Sequence, residues 1–332
     1  MRRVLVILAV FGVLAAACGD DGGTSPTTSS GTTAATTGTT SAATSAPTSG
    51  ATSGATSAAT TAADECATDQ LNLVKPGQLT VGTDNPAYPP WFSGGTTKDS
   101  MWKVDDPNNG KGLESAVAFE VAKRLGFSKD QVEWVVAPFS QTYAPGSKDY
   151  DFAIEQISVT KKREEAVDFS DSYYDVNQAL VAVKGTPAAS ATTIADLKDL
   201  NLAAPIGTTA YTYITDVIQP NTEPGSYATL ADTVAALNAH QVDAMVVDLP
   251  TALYIADPFV QQVKNSVVVG QFANPEGGTT DHVGMAFVKG NSLVACVNKA
   301  LGAMTDDGTL ADLQNEWLSK QTNVGTVPVF KS

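Results

Sequence analysis

The residues best suited to chemistry lie in the stretch DFAIEQISVTKKREEAVDFS (151–170). Ser158 and Arg163 stand five residues apart, in a polar turn that follows an apolar strand. An arginine offers a two-pronged donor for a carboxylate, and the turn adds hydroxyl and backbone N–H donors. The spacing therefore predicts a site for one small anion.

A carboxylate follows another apolar segment farther along the chain. In VDAMVVD (242–248), Asp248 stands just past the C-terminal end of a predicted strand, before Leu249 and Pro250. Ligands of open α/β sheets bind at such strand ends. An arginine in one segment and an aspartate in another predict a clamp for the two charges of a zwitterion. Asp248 also fits as the N-cap of a helix that starts near Pro250.

Strands and helices alternate around these residues. We predict strands at 79–83, 132–136, 179–183, 202–206, 244–247, 267–269 and 284–287, and helices at 114–125, 211–218, 230–239, 250–257, 293–305 and 310–318. The first of these helices has an apolar residue at every fourth position from Leu113 to Leu125. The alternation predicts α/β units with largely parallel sheets.

Six segments resemble, in the same order, solute-binding protein family 3, the type II periplasmic binding proteins of amino-acid ABC importers. The segments are GTDNPAYPPWF (82–92), the stretch 151–170, DLKDLNLAAPIGTTA (196–210), VDAMVVD (242–248), VGMAFVKGNSLVACVNKAL (283–301) and DGTLADLQNEWL (307–318). The resemblance implies an α/β, two-lobed type II periplasmic-binding-protein fold. Its ligand would lie in the cleft between the lobes, which close by a hinge.

The resemblance also implies how the chain is divided. Lobe 1 would comprise residues 66–180 and 273–332, and lobe 2 would comprise residues 181–272. The chain would cross between the lobes near 178–181 and again near 269–272.

Roles in the clamp follow from the same resemblance. Arg163 would bind the α-carboxylate of the ligand, Ser158 would be an accompanying donor, and Asp248 would accept the α-ammonium. On composition alone, the mixed charges around Arg163 would indicate a solvated helix face. Thr160, in the same turn, fits an N-cap better than a ligand contact.

Gly207, Thr208 and Thr209 link a predicted strand to a predicted helix. Backbone N–H groups at a helix start stabilise a carboxylate, and a threonine there also fits as a plain N-cap. We expect both uses together, with Thr209 capping the helix and touching the ligand.

Asp84 and Tyr88 follow the first strand in a proline-rich loop that cannot be helical. The resemblance implies that Tyr88 packs against the ligand, that Asp84 lies near its side chain, and that Phe139 forms the other aromatic wall. A local alternative is an Asx-turn at Asp84, with Tyr88 and Trp91 packed on lobe 1.

The chain departs from the family at Glu155 and Gln156, where many relatives carry small residues, and in an insertion at 93–111 that contains Trp102. If Asp84 and Glu155 converge, a cationic ligand side chain would relieve their repulsion. We therefore predict a polar amino acid, with Arg, Lys or ornithine ahead of Gln or Asn. Alternatively, Glu155 turns into lobe 1 and pairs with a lysine, which would leave a neutral pocket that prefers glutamine.

The first residues are typical of a secretory leader. A basic start, an apolar run and three alanines before Cys18 predict a signal peptide over 1–17 and a lipidated Cys18. An ordinary signal peptide with a cysteine near the cut is the alternative. Residues 18–65, rich in Thr, Ser and Ala, predict a disordered tether. We expect the protein on the extracytoplasmic face of the cell membrane, held there only by its lipid.

Two further cysteines, Cys66 and Cys296, are predicted to form a disulfide, because leftover cysteines of exported proteins pair more often than they stay free. The bridge would join the beginning of the folded region to a late helix.

Composition excludes several classes of function. The 332-residue chain has 20 basic and 35 acidic residues, which argues against nucleic acid and anionic lipid surfaces as partners. Two histidines and no clustered cysteines argue against a metal site, and no cofactor is expected. We expect a monomer without enzyme activity whose partners are a small amino acid and an ABC permease. The alternatives are a sensor for a membrane kinase and a same-fold exported dehydratase, for which Glu155 is the one candidate acid or base.

Overall fold

The structure is a computed structural model that describes residues 65–273, 280–319 and 327–331. The predicted signal peptide, Cys18 and all but the last residue of the predicted tether lie outside the described residues. Within these three ranges, no helix has both the length and the apolar character needed to cross a membrane.

The described residues form strands and helices in alternation. The strands are β1 Leu79–Thr83, β2 Val132–Val136, β3 Phe152–Ala153, β4 Val167–Phe169, β5 Tyr174–Val176, β6 Gln178–Val183, β7 Leu202–Pro205, β8 Gly225–Tyr227, β9 Ala244–Asp248, β10 Ser266–Gln271, β11 Asp281–Val283 and β12 Ala286–Val288. The helices are α1 Leu113–Arg124, α2 Phe139–Thr142, α3 Lys161–Glu164, α4 Thr209–Tyr213, α5 Leu230–Asn238, α6 Leu249–Ala256, α7 Leu293–Asp306 and α8 Thr309–Gln314. Short π-helical turns at Ile214–Ile218 and Asn315–Ser319 extend α4 and α8.

The strands form two five-stranded sheets, one in each lobe. The first sheet has the order β2-β1-β3-β12-β4, so β12 returns late in the chain to a sheet that is otherwise built early. The second has the order β10-β6-β9-β7-β8. Strands β5 and β11 form a separate antiparallel pair next to the segments that join the lobes. The two-lobed α/β prediction is confirmed.

Both sheets are mixed, which corrects the prediction of largely parallel sheets. In the first, β1 is parallel to β2 and β3, whereas β12 is antiparallel to β3 and β4. In the second, β6 is antiparallel to both β9 and β10. In the second sheet, the antiparallel pairs involve β6, which carries the chain into the second lobe, and β10, which carries it back.

Helix α1 is packed directly behind the proline-rich loop that follows β1. A Cβ on Gly112 would come within 2.4 Å of the Cα of Phe92 and the carbonyl oxygen of Trp91, and its φ is +91°. Only glycine tolerates both conditions. The close approach brings the first turn of α1, with the fully buried Glu114, beneath the cleft.

The two connections between the lobes lie side by side. The side-chain amide of Asn177 donates to Oε1 of Gln271 at 2.9 Å, and the N–H of Phe272 donates to the carbonyl of Gln178 at 2.8 Å. These bonds join the start of β6 to the end of β10, the place where a hinge between the lobes must bend.

The C-terminal segment 327–331 lies on the second sheet, whereas the expected division put all of 273–332 in lobe 1. The N–H of Gln271 donates to the carbonyl of Pro328, and the N–H of Phe330 donates back to Gln271. The Phe330 ring stacks on Phe272 at 4.8 Å between centroids. The reason for the difference is apolar burial, because Phe330 is 8 % exposed there.

The predicted disulfide is confirmed. Cys66 and Cys296 are bonded, with their Cα atoms 5.4 Å apart. The bond ties the segment before β1 to helix α7, across 230 residues of sequence.

Candidate ligand-binding site

A cavity of about 640 Å³ lies between the lobes. Eight of the nine predicted ligand-binding residues line it, and they come from both lobes: Asp84, Tyr88, Phe139, Glu155, Ser158, Thr208, Thr209 and Asp248. The ninth, Arg163, is not among the lining residues. The cavity thus brings together side chains that are widely separated in the sequence.

The lobes touch each other across the cleft. The indole N–H of Trp91 in the first lobe donates to Oγ1 of Thr251 in the second at 2.9 Å. The hydroxyls of Ser158 and Thr209 are 3.1 Å apart, and the rings of Tyr88 and Tyr254 lie 6.5 Å apart. These contacts join the two lobes beside the cavity, which stays partly open to solvent.

Arg163 stands behind the cavity wall. Its guanidinium donates to the carbonyl oxygens of Ser158 at 2.7 Å and Gly207 at 2.9 Å, which lie in different lobes. It is stacked on the Tyr143 ring at 4.4 Å and lies 5.3 Å from the Phe139 ring. Arg163 therefore joins the two loops that carry the site, and its direct contact with a ligand carboxylate stays a prediction.

Four of the lining residues form what we call the clamp cluster: Ser158, Thr208, Thr209 and Asp248. Thr208 caps α4, because its Oγ1 accepts the N–H of Tyr211 at 3.2 Å. This corrects the expectation that Thr209 caps the helix. The Thr209 hydroxyl instead meets Ser158 across the cavity. The turn before α4 contains Gly207 at φ +77°, and the cap of the helix lies one residue earlier than expected.

Asp248 combines the two roles that its position predicted. It lines the cavity, and its carboxylate accepts the N–H of Thr251 at 2.9 Å as the N-cap of α6. Burial raises the pKa of Asp248 to about 6, against the hydrogen bonds from Thr251, which lower it. A half-buried carboxylate of this kind gains from a cationic partner in the cavity.

Gln178 is a lining residue that the sequence analysis missed. It is 3 % exposed and lies directly opposite Asp248 in the pairing of β6 with β9. Its amide N–H donates to Oδ2 of Asp281 at 2.6 Å, while its Oε1 has no hydrogen-bond partner among the described residues. The sequence did place Gln178 at the start of an apolar strand and at the predicted crossover, which indicated a position near the cleft.

A second group, which we call the mixed-charge cluster, consists of Asp84, Glu155 and Lys103. Glu155 is 8 % exposed, and no donor among the described residues reaches its Oε2, although its carboxyl lies against that of Asp84. Burial and then the nearby Asp84 raise the pKa of Glu155 well above its usual value. Burial likewise raises the pKa of Asp84, although the charge of Lys103 lowers it. Glu155 thus faces the cavity rather than pairing with a lysine inside lobe 1.

Glu155 is positioned by a buried network that the sequence did not reveal. The next residue, Gln156, has a positive φ of 46°, and both its backbone N–H and its side-chain amide donate to Glu114. Glu114 also accepts the hydroxyl of Tyr173. Burial raises the pKa of Glu114 to about 7. In the sequence, only the charge of Glu114 on the buried face of α1 indicated that such a network exists.

Lys103 comes from the insertion at 93–111, which is joined to the loop after β1. The N–H of Lys103 donates to Oδ1 of Asn85 at 3.0 Å, and the N–H of Asp105 donates to the carbonyl of Ala87 at 3.2 Å. Trp102 beside it is buried. The insertion is therefore a fixed part of the cavity wall that contributes one cation.

Asp84, Tyr88 and Phe139 stand where the resemblance implied, in the cavity wall. Asp84 also accepts the N–H of Asn85 at 2.7 Å, so a local bond and cavity lining coexist. Phe139 begins the single helical turn α2, and its ring lies 5.4 Å from that of Tyr143.

Similarity to known proteins agrees with this geometry. The family model of the bacterial extracellular solute-binding proteins, family 3, matches residues 79–320. The glutamine-binding protein GlnH of an ABC transporter of Bacillus subtilis is 24% identical over 68% of this chain and 79% of its own length. The lysine/arginine/ornithine-binding periplasmic protein of Escherichia coli is 26% identical over 70% of this chain and 85% of its own length.

Solved structures show the same fold. An ancestral arginine-binding protein bound to arginine superimposes with a TM-score of 0.58 and 28% identity, covering 73% of this chain and 98% of its own. The ancestral amino acid-binding protein AncCDT-1, a precursor of cyclohexadienyl dehydratase, gives a TM-score of 0.57 and 26% identity, covering 73% and 95%. The chain belongs to the bacterial extracellular solute-binding proteins of family 3.

Proposed function

We propose that the protein binds a polar α-amino acid outside the cytoplasm and delivers it to an ABC importer. The observation that carries the proposal is the interlobe cavity, in which the clamp cluster supplies hydroxyl groups and a half-buried carboxylate. Hydroxyl and backbone donors suit an α-carboxylate, and Asp248 suits an α-ammonium. Relatives named for glutamine and for lysine, arginine and ornithine support the same class of ligand.

Within that class, we propose that ligands with nitrogen at the end of the side chain bind best. The unpartnered Oε2 of Glu155 supports this, because a buried acceptor without a donor costs free energy that a ligand ammonium, guanidinium or amide removes. Asp84 beside it adds a second acceptor.

The test is a thermal-shift screen of the common amino acids together with ornithine. We expect arginine, lysine, ornithine and glutamine to stabilise the protein most. Strongest stabilisation by glutamate, aspartate or an aliphatic amino acid would overturn the proposal on the side chain. Mass spectrometry of the small molecule that copurifies with the protein gives an independent answer.

We propose further that the protein is a monomer without enzyme activity. The acids that line the cavity are Asp84, Glu155 and Asp248, and neither His240 nor His282 lines it. Carboxylates that match the cations of an amino acid, with neither histidine among them, support binding rather than catalysis. Recovery of the bound ligand chemically unchanged after prolonged incubation would agree with this proposal, and a new product would contradict it.

The proposed location is the extracytoplasmic face of the membrane, with Cys18 lipidated. The support is the sequence pattern of the first 18 residues. Cys18→Ser should move the protein from the membrane fraction into the soluble extracytoplasmic fraction. An unchanged distribution between the two fractions would exclude the lipid anchor.

A further inference from the structure

The mixed-charge cluster contains charges of both signs, although a pocket for a basic amino acid needs only acidic residues. Asp84 and Glu155 come from the ends of β1 and β3, whereas Lys103 comes from the insertion at 93–111. Lys103 is exposed at the mouth of the cavity, and its charge lowers the pKa of Asp84. Among the described residues, no ion pair within 4.0 Å involves Lys103.

No side chain with one charge matches this cluster. A ligand ammonium or guanidinium would neutralise Asp84 and Glu155 but would be repelled by Lys103. A ligand carboxylate would pair with Lys103 but would meet two acids, one of which is buried. A group that carries an ammonium and a carboxylate side by side matches all three residues.

The cavity has room for such a ligand. Its volume of about 640 Å³ lies within the range of about 300–1,000 Å³ that small-molecule sites span, which leaves room for a ligand a few atoms longer than lysine.

We propose that the preferred ligand is an α-amino acid whose side chain ends in a second ammonium and carboxylate, a bis-zwitterion. Its first zwitterion binds the clamp cluster. Its second ammonium binds Asp84 and Glu155, and its second carboxylate meets Lys103 at the mouth. This inference rests on the proposed function and specifies the ligand for the same cavity.

Three compounds separate the contributions of the two distal charges. LL-2,6-Diaminopimelate carries both, L-lysine lacks only the distal carboxylate, and L-2-aminopimelate lacks only the distal ammonium. We expect calorimetry to show diaminopimelate bound about threefold to fivefold more tightly than lysine, since Lys103 is exposed and its pairing energy is modest. Aminopimelate should bind at least about tenfold more weakly than diaminopimelate, because it leaves the acids unmatched. L-Cystathionine offers the same two ends on a longer spacer.

Variants of Lys103 test the assignment within one protein. Lys103→Ala should remove the preference for diaminopimelate over lysine, and Lys103→Glu should reverse it. Lys98→Ala is the matched control, because Lys98 is an exposed lysine of the same insertion that does not line the cavity. It should leave the preference unchanged.

Two results would overturn the inference. One is that lysine binds the unmodified protein at least as tightly as diaminopimelate and cystathionine. The other is that Lys103→Ala leaves the ratio of diaminopimelate to lysine affinity unchanged. If lysine or glutamine binds and the bis-zwitterions do not, only this inference fails. If no α-amino acid binds, the proposed function fails with it.

Discussion

The clamp cluster and the mixed-charge cluster line one cavity but are built from different kinds of residue. In the clamp cluster, Thr208 and Asp248 also cap helices α4 and α6, so each serves the fold and the site together. In the mixed-charge cluster, Glu155 has an oxygen without any partner among the described residues, and Lys103 forms no ion pair among them.

The difference indicates a division of labour. Caps at the starts of helices stay in place whatever the ligand's side chain is, so they suit the part that all amino acids share. Charged side chains that depend on a loop, an insertion and a buried support can change without loss of the fold. We therefore expect substitutions in the clamp cluster to weaken all ligands, and substitutions in the mixed-charge cluster to change which ligand is preferred.

Asp248→Asn should have the largest effect. The amide keeps an oxygen that can cap α6, so the fold should be retained, whereas binding should weaken by about 3–5 kcal/mol because the ligand ammonium loses its counter-charge. Calorimetry with any ligand found in the screen measures the loss. Near-normal affinity would show that Asp248 is only a cap.

Arg163→Ala should weaken binding by about 2–3 kcal/mol, for all ligands alike. The substitution removes the hydrogen bonds from the guanidinium to the carbonyls of Ser158 and Gly207, which hold the two lobes of the site together. It would also remove any direct bond to the ligand carboxylate.

Methyl esters of the ligand separate these two roles of Arg163. If Arg163 binds the carboxylate, esterification should cost the Arg163→Ala protein much less than the unmodified protein. If Arg163 only joins the lobes, both proteins should lose the same factor. Equal affinity of the two proteins for the free amino acid would contradict both roles.

Much of the fold was predictable because it depends on local patterns. The strands β1 and β2 were predicted with the bounds that the structure has, and helix α1 was displaced by only one residue. Strands β5 and β11 were not predicted, because each has three residues and they pair with each other across about 100 residues of sequence. The antiparallel course of β12 likewise depends on a long-range return of the chain.

The same distinction applies to the site. Thr208 and Asp248 occupy a helix start and a strand end, and Ser158 lies in the polar turn before α3, all of which local sequence patterns indicate. Lys103 could not be assigned in this way, because an insertion carries no pattern that says which side chain faces the cavity. For Gln178, the predicted crossover indicated only its place near the cleft and not the direction of its side chain. The support of Glu155 by Glu114 is a contact between a helix and a turn that only the folded chain brings together.

The pH dependence of stability tests the support beneath Glu155. Burial raises the pKa of Glu114 from 4.5 to about 7, so between these values the folded protein holds a proton that the unfolded chain has released. Folding stability should therefore fall as the pH rises through this window, by roughly 2 kcal/mol between about pH 5 and pH 8. Denaturant titrations of the unliganded protein at these two pH values measure the fall.

Glu114→Gln should reduce that fall markedly while lowering stability at both pH values, because an amide cannot accept all the donors that the carboxylate accepts. Ionisation of Asp248 also lowers the stability of the protein as the pH rises, since the pKa of Asp248 is raised to about 6. Asp248→Asn therefore measures a second, smaller part of the fall. A fall of the same size in both variants would mean that other groups cause it.

Glu155→Gln should have the smallest effect on affinity and the clearest effect on selectivity. The substitution removes the negative charge but keeps an acceptor in the mixed-charge cluster, so lysine should lose about tenfold in affinity relative to glutamine, about 1.4 kcal/mol. The exposed Glu165, mutated to Gln, is the matched control, because it carries the same charge away from the cavity. It should leave the ratio of the two affinities unchanged.

Proton release gives the same prediction a second readout. Burial and the nearby Asp84 raise the pKa of Glu155 well above its usual range, so this carboxyl holds a proton to a higher pH than an ordinary glutamate does. A ligand ammonium favours the ionised form, and its binding should expel that proton. Calorimetry of lysine binding in buffers of different ionisation enthalpy should therefore show release of up to about one proton for each ligand, with much less for glutamine. Glu155→Gln should abolish most of the release. Equal proton release by lysine and glutamine would mean that Glu155 does not distinguish side chains, and the contrast between the two clusters would then rest on Asp84 and Lys103 alone.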